Sequence, residues 1–154
     1  MAGDAMKVLW LLHGVNLDQL GRRPREHYGS ATLDELCAQV AAYAAARGLE
    51  VRAYQTNHEG DLVERLHALA GGDEPADAVI INPGAWTHYS WAIHDALELL
   101  ACPIAEVHLS AVDEREAWRR VSVVADLAAV RVSGAGTAGY LRAVDGLLEL
   151  IAHD

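Results

Sequence analysis

The sequence predicts an α/β domain built on a parallel sheet with helices on both faces. Three observations point to it: short apolar runs of strand length, helical apolar stripes alternating with them, and polar side chains gathered where the runs end. At 154 residues the chain is the size of one ordinary domain, and such a domain removes roughly 70% of its unfolded surface from water. An apolar content of 52%, rich in Ala, Val and Leu and without Phe, suits one packed core.

Val8–Leu12 is a continuous apolar run, as a strand covered on both faces requires. The polar, basic and Gly-containing segment His13–Ser30 then reads as either a floppy connection or a working loop. Thr32 opens a helix in a T-x-x-E capping box with Glu35. Leu33, Leu36, Cys37, Val40 and Ala44 form its apolar stripe, which ends before Gly48. Leu49–Gln55 is the second strand. Asp61–Ala70 is a helix with Leu62, Leu66 and Leu69 on one side, and the turn cluster Gly71–Pro75 leads into a third strand, Ala78–Ile81, stopped at Asn82-Pro83-Gly84.

Ser90–Leu100 is helical, with Ala92, Ile93, Ala96, Leu97 and Leu100 apolar and Trp91, His94, Asp95 and Glu98 opposite; Pro103 ends it. Ile104–Leu109 is the fourth strand, Glu114–Arg120 a short amphipathic helix, Ala128–Val132 the fifth strand and Tyr140–Ala152 a closing helix. There is no internal repeat, linker or low-complexity tract, so residues 1–154 read as one domain. The economical architecture is a flavodoxin-like, five-stranded parallel sheet in the order 2-1-3-4-5.

A net charge of −10 argues against nucleic acid or an anionic membrane surface as partner. No apolar stretch approaches the roughly 20 residues of a membrane span. Met1–Lys7 lacks the basic start and apolar run of a secretory signal, and a cytoplasmic location is expected. Cys37 and Cys102 lie in apolar surroundings without C-x-x-C spacing and read as buried reduced thiols. Against the acidic background, six of the twelve Lys and Arg residues fall in two short segments, Arg22, Arg23 and Arg25, and Arg115, Arg119 and Arg120. That concentration suits a small anionic ligand, with a solvated charged face as the alternative.

Ligands of open parallel sheets bind beyond the carboxyl ends of the strands. Polar residues stand there repeatedly: His13 and Asn16, Asn57 and Glu59, Asn82 and His88, then Glu106, His108 and Ser110. Alternation along a strand puts Glu106, His108 and Ser110 on one face and Val107 and Leu109 on the other. An unpaired buried charge costs several kcal/mol, so Glu106 and His108 form either a structural ion pair or, as preferred here, an acid–base site. In the loop after the first strand, Arg23 and Tyr28 gain meaning together. A phenol titrates near 10, and it acts as a base at neutral pH only where cations favour the phenolate; the alternative for Tyr28 is packing. Arg115 and Arg119, spaced i and i+4, would share one helical face able to hold an anion or a polyol.

Other chemistries are weakened by the same residues. Gly134–Gly139 matches G-x-G-x-x-G, yet only 15 residues follow it, too few for a second βα unit, so a tight turn is its expected use. His58-Glu59 begins like H-E-x-x-H, but Leu62 stands at the last position. No His, Cys and carboxylate group has recognised ligand spacing, so no bound metal is expected. Lys7, the sole lysine, precedes the first strand, far from where a Schiff base would be needed. A non-catalytic module that binds phosphate at the Gly134–Gly139 turn is the alternative from another class.

The motifs, taken in order, resemble the type II 3-dehydroquinate dehydratases over nearly the whole chain. Gly14-Val15-Asn16-Leu17 resembles the family's G-P-N-L, and Leu20-Gly21-Arg22-Arg23 through Tyr28-Gly29 resembles its catalytic lid. Gln55–Gly60, Ile81–Ala85 with Thr87-His88, Asp95-Ala96 and Glu106–Ser110 follow in the family's order. The resemblance implies anti elimination of water from 3-dehydroquinate to 3-dehydroshikimate, with no metal or organic cofactor. It implies Tyr28 as the base, Arg23 favouring its ionised form, Asn16 stabilising an enolate through a water, His108 as the acid and Glu106 orienting it. Asn82, His88, Leu109, Ser110 and Arg119 would hold the small anionic cyclic substrate, and Arg115 would support the lid. Homo-oligomerisation as trimers grouped into dodecamers is implied as well, with Asp95 donated into a neighbour's site. The chain departs from the family pattern at His13, Val15, Pro24, His94 and Asp113 and over Val121–Ala125. A paralogue acting on a related cyclic hydroxy-keto acid is the reading those departures would favour.

Overall fold

The structure, a computed structural model, describes residues 5–152; of the Met1–Lys7 start read for a secretory signal, residues 1–4 lie outside the described residues. Five strands, β1 (Lys7–His13), β2 (Leu49–Gln55), β3 (Ala78–Asn82), β4 (Ile104–His108) and β5 (Val130–Ser133), form one parallel sheet in the order β2-β1-β3-β4-β5. This is the expected flavodoxin-like order. The helices are α1 (Arg25–Tyr28), α2 (Leu33–Ala45), α3 (Glu59–Ala70), α4 (Trp91–Glu98) and α5 (Ala138–Ile151).

The period of two along β1 divides the core. Leu9 and Leu11 enter a layer with Leu36, Val40 and Ala44 of α2 and Tyr140, Ala143, Val144 and Leu147 of α5. Val8, Trp10 and Leu12 enter the opposite layer, with Leu62, Leu66 and Leu69 of α3 and Ile93, Ala96 and Leu97 of α4. Each residue of β1 from Val8 to Leu12 thus has an apolar stripe above or below it, and each fully buried Leu or Ile contributes roughly 1.5–3 kcal/mol. Thr32 caps α2, accepting from the Glu35 amide at 3.2 Å, and Ser90 caps α4, accepting from the Ile93 amide at 3.1 Å. The Glu35 side chain accepts from the Thr32 hydroxyl at 3.1 Å instead of returning to the cap's amide, so the predicted box is made in one direction only.

Several expectations are corrected. The segment after β1, read as a floppy connection or a working loop, carries secondary structure of its own: Leu17–Gln19 is a 3₁₀ turn, α1 follows, and Leu17 and Leu20 are buried. Residues 114–120 are not one amphipathic helix. Two 3₁₀ turns, Val112–Glu114 and Ala117–Arg120, are separated by Arg115 in extended backbone, so Arg115 and Arg119 do not share a helical face. The strand near its end starts at Val130, because Ala125–Leu127 forms a 3₁₀ turn first. His94, read on the polar face of α4, is buried at 8% exposure between Asp95 and Asp126, with contacts of 3.0 and 3.1 Å. Those carboxylates, Asp126 first, raise its pKa. Cys37 and Cys102 are free but only half-buried, at the edges of the apolar layers, and burial still pushes both thiols up to about 11. Gly134 (φ 77°) and Gly136 (φ 58°) make the tight turn expected before α5.

Candidate active site

All five strands run the same way, so the segments that follow β1, β3 and β4 meet at one rim. In β1–β3 register, His13 lies opposite Asn82, and Gly14 donates its amide to the Asn82 carbonyl at 2.8 Å. The two loops then interlock. A Cβ on Gly14 would stand 2.2 Å from the Pro83 carbonyl oxygen, and Gly84, at φ 65°, packs against the Val15 carbonyl. Only residues without a Cβ permit that approach. Asn16 is the one described non-glycine residue with positive φ, at 67°, a conformation Asn tolerates better than most. Its amide is held by the Asn57 side-chain oxygen at 2.9 Å.

The cavity at this rim is lined by Asn16, Arg23, Tyr28, Asn82, His88, His108, Leu109, Ser110, Arg115 and Arg119, with Val15, Leu17, Gly84, Ala85 and Val112. Of the twelve residues that the family resemblance gives a role, all but Glu106 and Asp95 are in that set; the other strand-end polar residues, His13, Asn57 and Glu59, do not line it. Glu106 lies directly behind His108. Asp95 does not line the cavity; it is exposed on α4 beside His94. Tyr28 and His108, from segments far apart in the chain, face the same space.

Tyr28 Oη accepts from two guanidinium groups, Arg23 and Arg115, each at 2.7 Å. Charge-assisted donors of this kind are the strong ones, and both converge on this one oxygen. Arg23 is drawn below its ordinary value by burial foremost, then by Arg115 and Arg119, while Tyr28 acts in the opposite sense. Three guanidinium groups around one cavity repel one another unless an anion joins them. Glu116 joins the second cluster: Arg119 Nε donates to its Oε2 at 2.8 Å, and Arg115 Nε stands 3.8 Å from the same oxygen, an ion-pair distance without a hydrogen bond.

Glu106, 1% exposed, is met on all sides. His108 Nε2 stands 2.6 Å from Oε2, Thr87 Oγ1 donates at 2.6 Å, Ser122 Oγ at 2.8 Å and Arg131 Nε at 3.0 Å. Burial pushes this carboxyl up. The bonds and charge of His108, with the Thr87 and Ser122 hydroxyls, outweigh burial and hold it at about 2. An ionised carboxylate only accepts, so His108 Nε2 carries a proton and its Nδ1 is the nitrogen left for chemistry. His88 packs parallel to His108 with centroids 6.5 Å apart, and its Nδ1 donates to the Val121 carbonyl at 2.6 Å. Burial lowers its pKa, so its Nε2 is a neutral acceptor.

Thr87, named in the sequence only as part of a motif, supports the site together with Ser122, Arg131 and Glu116, to which the sequence assigned no role. Arg131 alone carried a usable signal, since pairing β5 with β4 sets it opposite Glu106. Among the described residues, His94, Asp95 and Glu98 on α4 are the one group close enough to share a metal ion, and none of them lines the cavity.

Comparison with known proteins is consistent across sequence and fold. A family model described as "Dehydroquinase class II" matches residues 6–148. The protein named 3-dehydroquinate dehydratase from Pelobacter propionicus is 47% identical over 95% of this chain and 97% of its own length. The protein of the same name from Roseiflexus castenholzii is 51% identical over 93% and 88%. Among solved structures, the type II dehydroquinase from Propionibacterium acnes superposes with a TM-score of 0.86 at 38% identity, covering 95% of this chain and 97% of that one. The type II dehydroquinase from Butyrivibrio crossotus gives 0.86 at 36% identity, covering 92% and 97%.

Proposed function

The chain belongs to the class II dehydroquinase family, and from that premise we propose that it is a 3-dehydroquinate dehydratase, a hydro-lyase that converts 3-dehydroquinate to 3-dehydroshikimate by anti elimination of water. The observation that carries the mechanism is the pair of guanidinium donors on Tyr28 Oη in the cavity that His108 also lines.

The Tyr28 phenolate, its charge met by Arg23 and Arg115, takes the proton beside the substrate ketone. The electron pair moves into an enolate. Asn16 stabilises that oxygen through a water, an interaction that matters only once charge has developed. The enolate then collapses to the enone, expelling the hydroxyl, which receives a proton from His108 Nδ1 and leaves as water. Glu106 keeps His108 oriented by accepting from its Nε2 at 2.6 Å. Ser110, the Leu109 and Ser110 amides, Asn82, His88 and Arg119 hold the substrate carboxylate and hydroxyls. Every step is assigned to side chains of the chain, and none calls on a metal or organic cofactor.

The reading extends to a homo-oligomer in which trimers group into a dodecamer, with Asp95 entering the neighbouring cavity, in the cytoplasm. The reaction would serve the shikimate pathway and aromatic amino-acid biosynthesis, or quinate breakdown. Ultraviolet absorbance tests the central claim. An enone band should grow when 3-dehydroquinate is added to the purified protein, and the Tyr28→Phe variant should bind substrate with turnover reduced to background. A folded chain that produces no enone would leave the paralogue or the phosphate-binding module in its place; near-normal turnover by Tyr28→Phe would remove Tyr28 as the base.

A further inference from the structure

Behind the cavity a second hydrogen-bonded chain runs through the core, and its direction can be deduced. Asn82 Oδ1 accepts from the Gly84 amide at 3.1 Å, which fixes the amide's orientation, since the flipped form would set two donors face to face. Asn82 Nδ2 therefore donates to Tyr140 Oη at 3.1 Å. A hydroxyl that already accepts this bond has one proton to give. The partner in reach is His13 Nε2, at 3.2 Å, so Nε2 accepts and the His13 proton sits on Nδ1. Among the described residues Nδ1 has no partner, and a buried donor in that state costs about 1–3 kcal/mol. The fold keeps that arrangement rather than an apolar residue on β1.

We propose that Tyr140 and His13 are positioning residues: together they lock the Asn82 amide so that its second Nδ2 hydrogen faces the cavity, where it recognises an acceptor oxygen of the substrate. Tyr140 is fully buried and His13 is 1% exposed, so neither touches substrate and both act through Asn82. Burial lowers the imidazole to about 4 and raises the phenol, which keeps one a neutral acceptor and the other a donor throughout the neutral range. The rigidity of Asn82 thus depends on groups from β1 and α5 that lie outside the cavity. The proposal rests on Asn82 binding substrate, as in the function given above.

Two measurements separate the claims. Imidazole ¹⁵N shifts of the intact protein at neutral pH should report His13 as the neutral Nδ1–H tautomer; the Nε2–H tautomer would overturn the relay whatever the activity. Steady-state dehydration of 3-dehydroquinate by Tyr140→Phe, which keeps the ring and loses the hydroxyl, should show KM raised roughly five- to tenfold with kcat within about twofold. His13→Leu should raise KM in the same sense, and His13→Gln, whose amide oxygen reaches the Nε2 position, should restore it. In an Asn82→Ala background, Tyr140→Phe should add nothing. Full additivity there, or an unchanged KM in a folded Tyr140→Phe, would overturn the inference. An unchanged KM in Asn82→Ala alone would instead remove Asn82 from the binding set, a failure of the functional reading.

Discussion

Tyr28 and His108 take their chemistry from groups their own sequence neighbourhoods do not all supply. Arg23 is five residues from Tyr28, but the second donor, Arg115, is 87 residues away and arrives from the far side of the cavity. Glu106 is held by donors from three other segments, so its charge is a property of the fold and not of β4 alone. The same scale governs acid stability. His13 titrates near 6.5 when unfolded and at about 4 in the folded core. Between these values the unfolded chain binds more protons, so stability declines as pH falls from about 6.5 to about 4 and the loss is complete below that. Thermal midpoints across pH 7 to 4.5 should drop more steeply for the wild type than for His13→Gln; parallel curves would mean that His13 is not buried as described.

At the scale of elements, the site depends on two loops that approach each other too closely for a side chain. Gly14→Ala would drive a Cβ into the Pro83 carbonyl, forcing the β1 and β3 loops apart and moving Asn16 and Asn82 together. Overpacking of this kind typically costs about 1–3 kcal/mol. The variant should therefore lose stability by that order in urea titration and lose substrate affinity as well; a variant matching wild type in both would show that the loops have room to separate. The pair of 3₁₀ turns replacing the expected 114–120 helix has a comparable role. Breaking the backbone at Arg115 lets that side chain reach Tyr28 while Arg119, one turn later, still lines the cavity.

For the whole molecule, an acidic chain carrying a cavity with three arginines creates a local field that attracts anions against the general repulsion. Salt screens such attraction over about 8–10 Å at physiological strength. KM for the anionic substrate should rise as sodium chloride is increased from dilute buffer to about 0.5 M, and a KM indifferent to salt would exclude charge as the main recognition. Tyr89, Trp91 and Leu99 are exposed in the single chain, at 59, 62 and 58%. If the proposed assembly forms, sedimentation should give a particle many times the 16.6 kDa of one chain, and Trp91→Glu should lower that mass. A monomeric wild type would remove the neighbour's Asp95 from the mechanism.

Strand and helix periods, caps and breakers are local properties, so the sequence alone determined the five strands, their alternation with helices and the rim where polar residues collect. Strand ends and the basic loop after β1 pointed to part of the cavity around Tyr28 and His108, and its fuller set was implied by the family resemblance of the ordered motifs. Only the tertiary structure decided which partners close on those residues: Arg115 on Tyr28, Thr87, Ser122 and Arg131 on Glu106, and Tyr140 between His13 and Asn82. Alternation tells which face a side chain takes, whereas its partner depends on register, on turn geometry and on chain segments tens of residues apart. Those are settled only when the sheet and both helical layers pack at once.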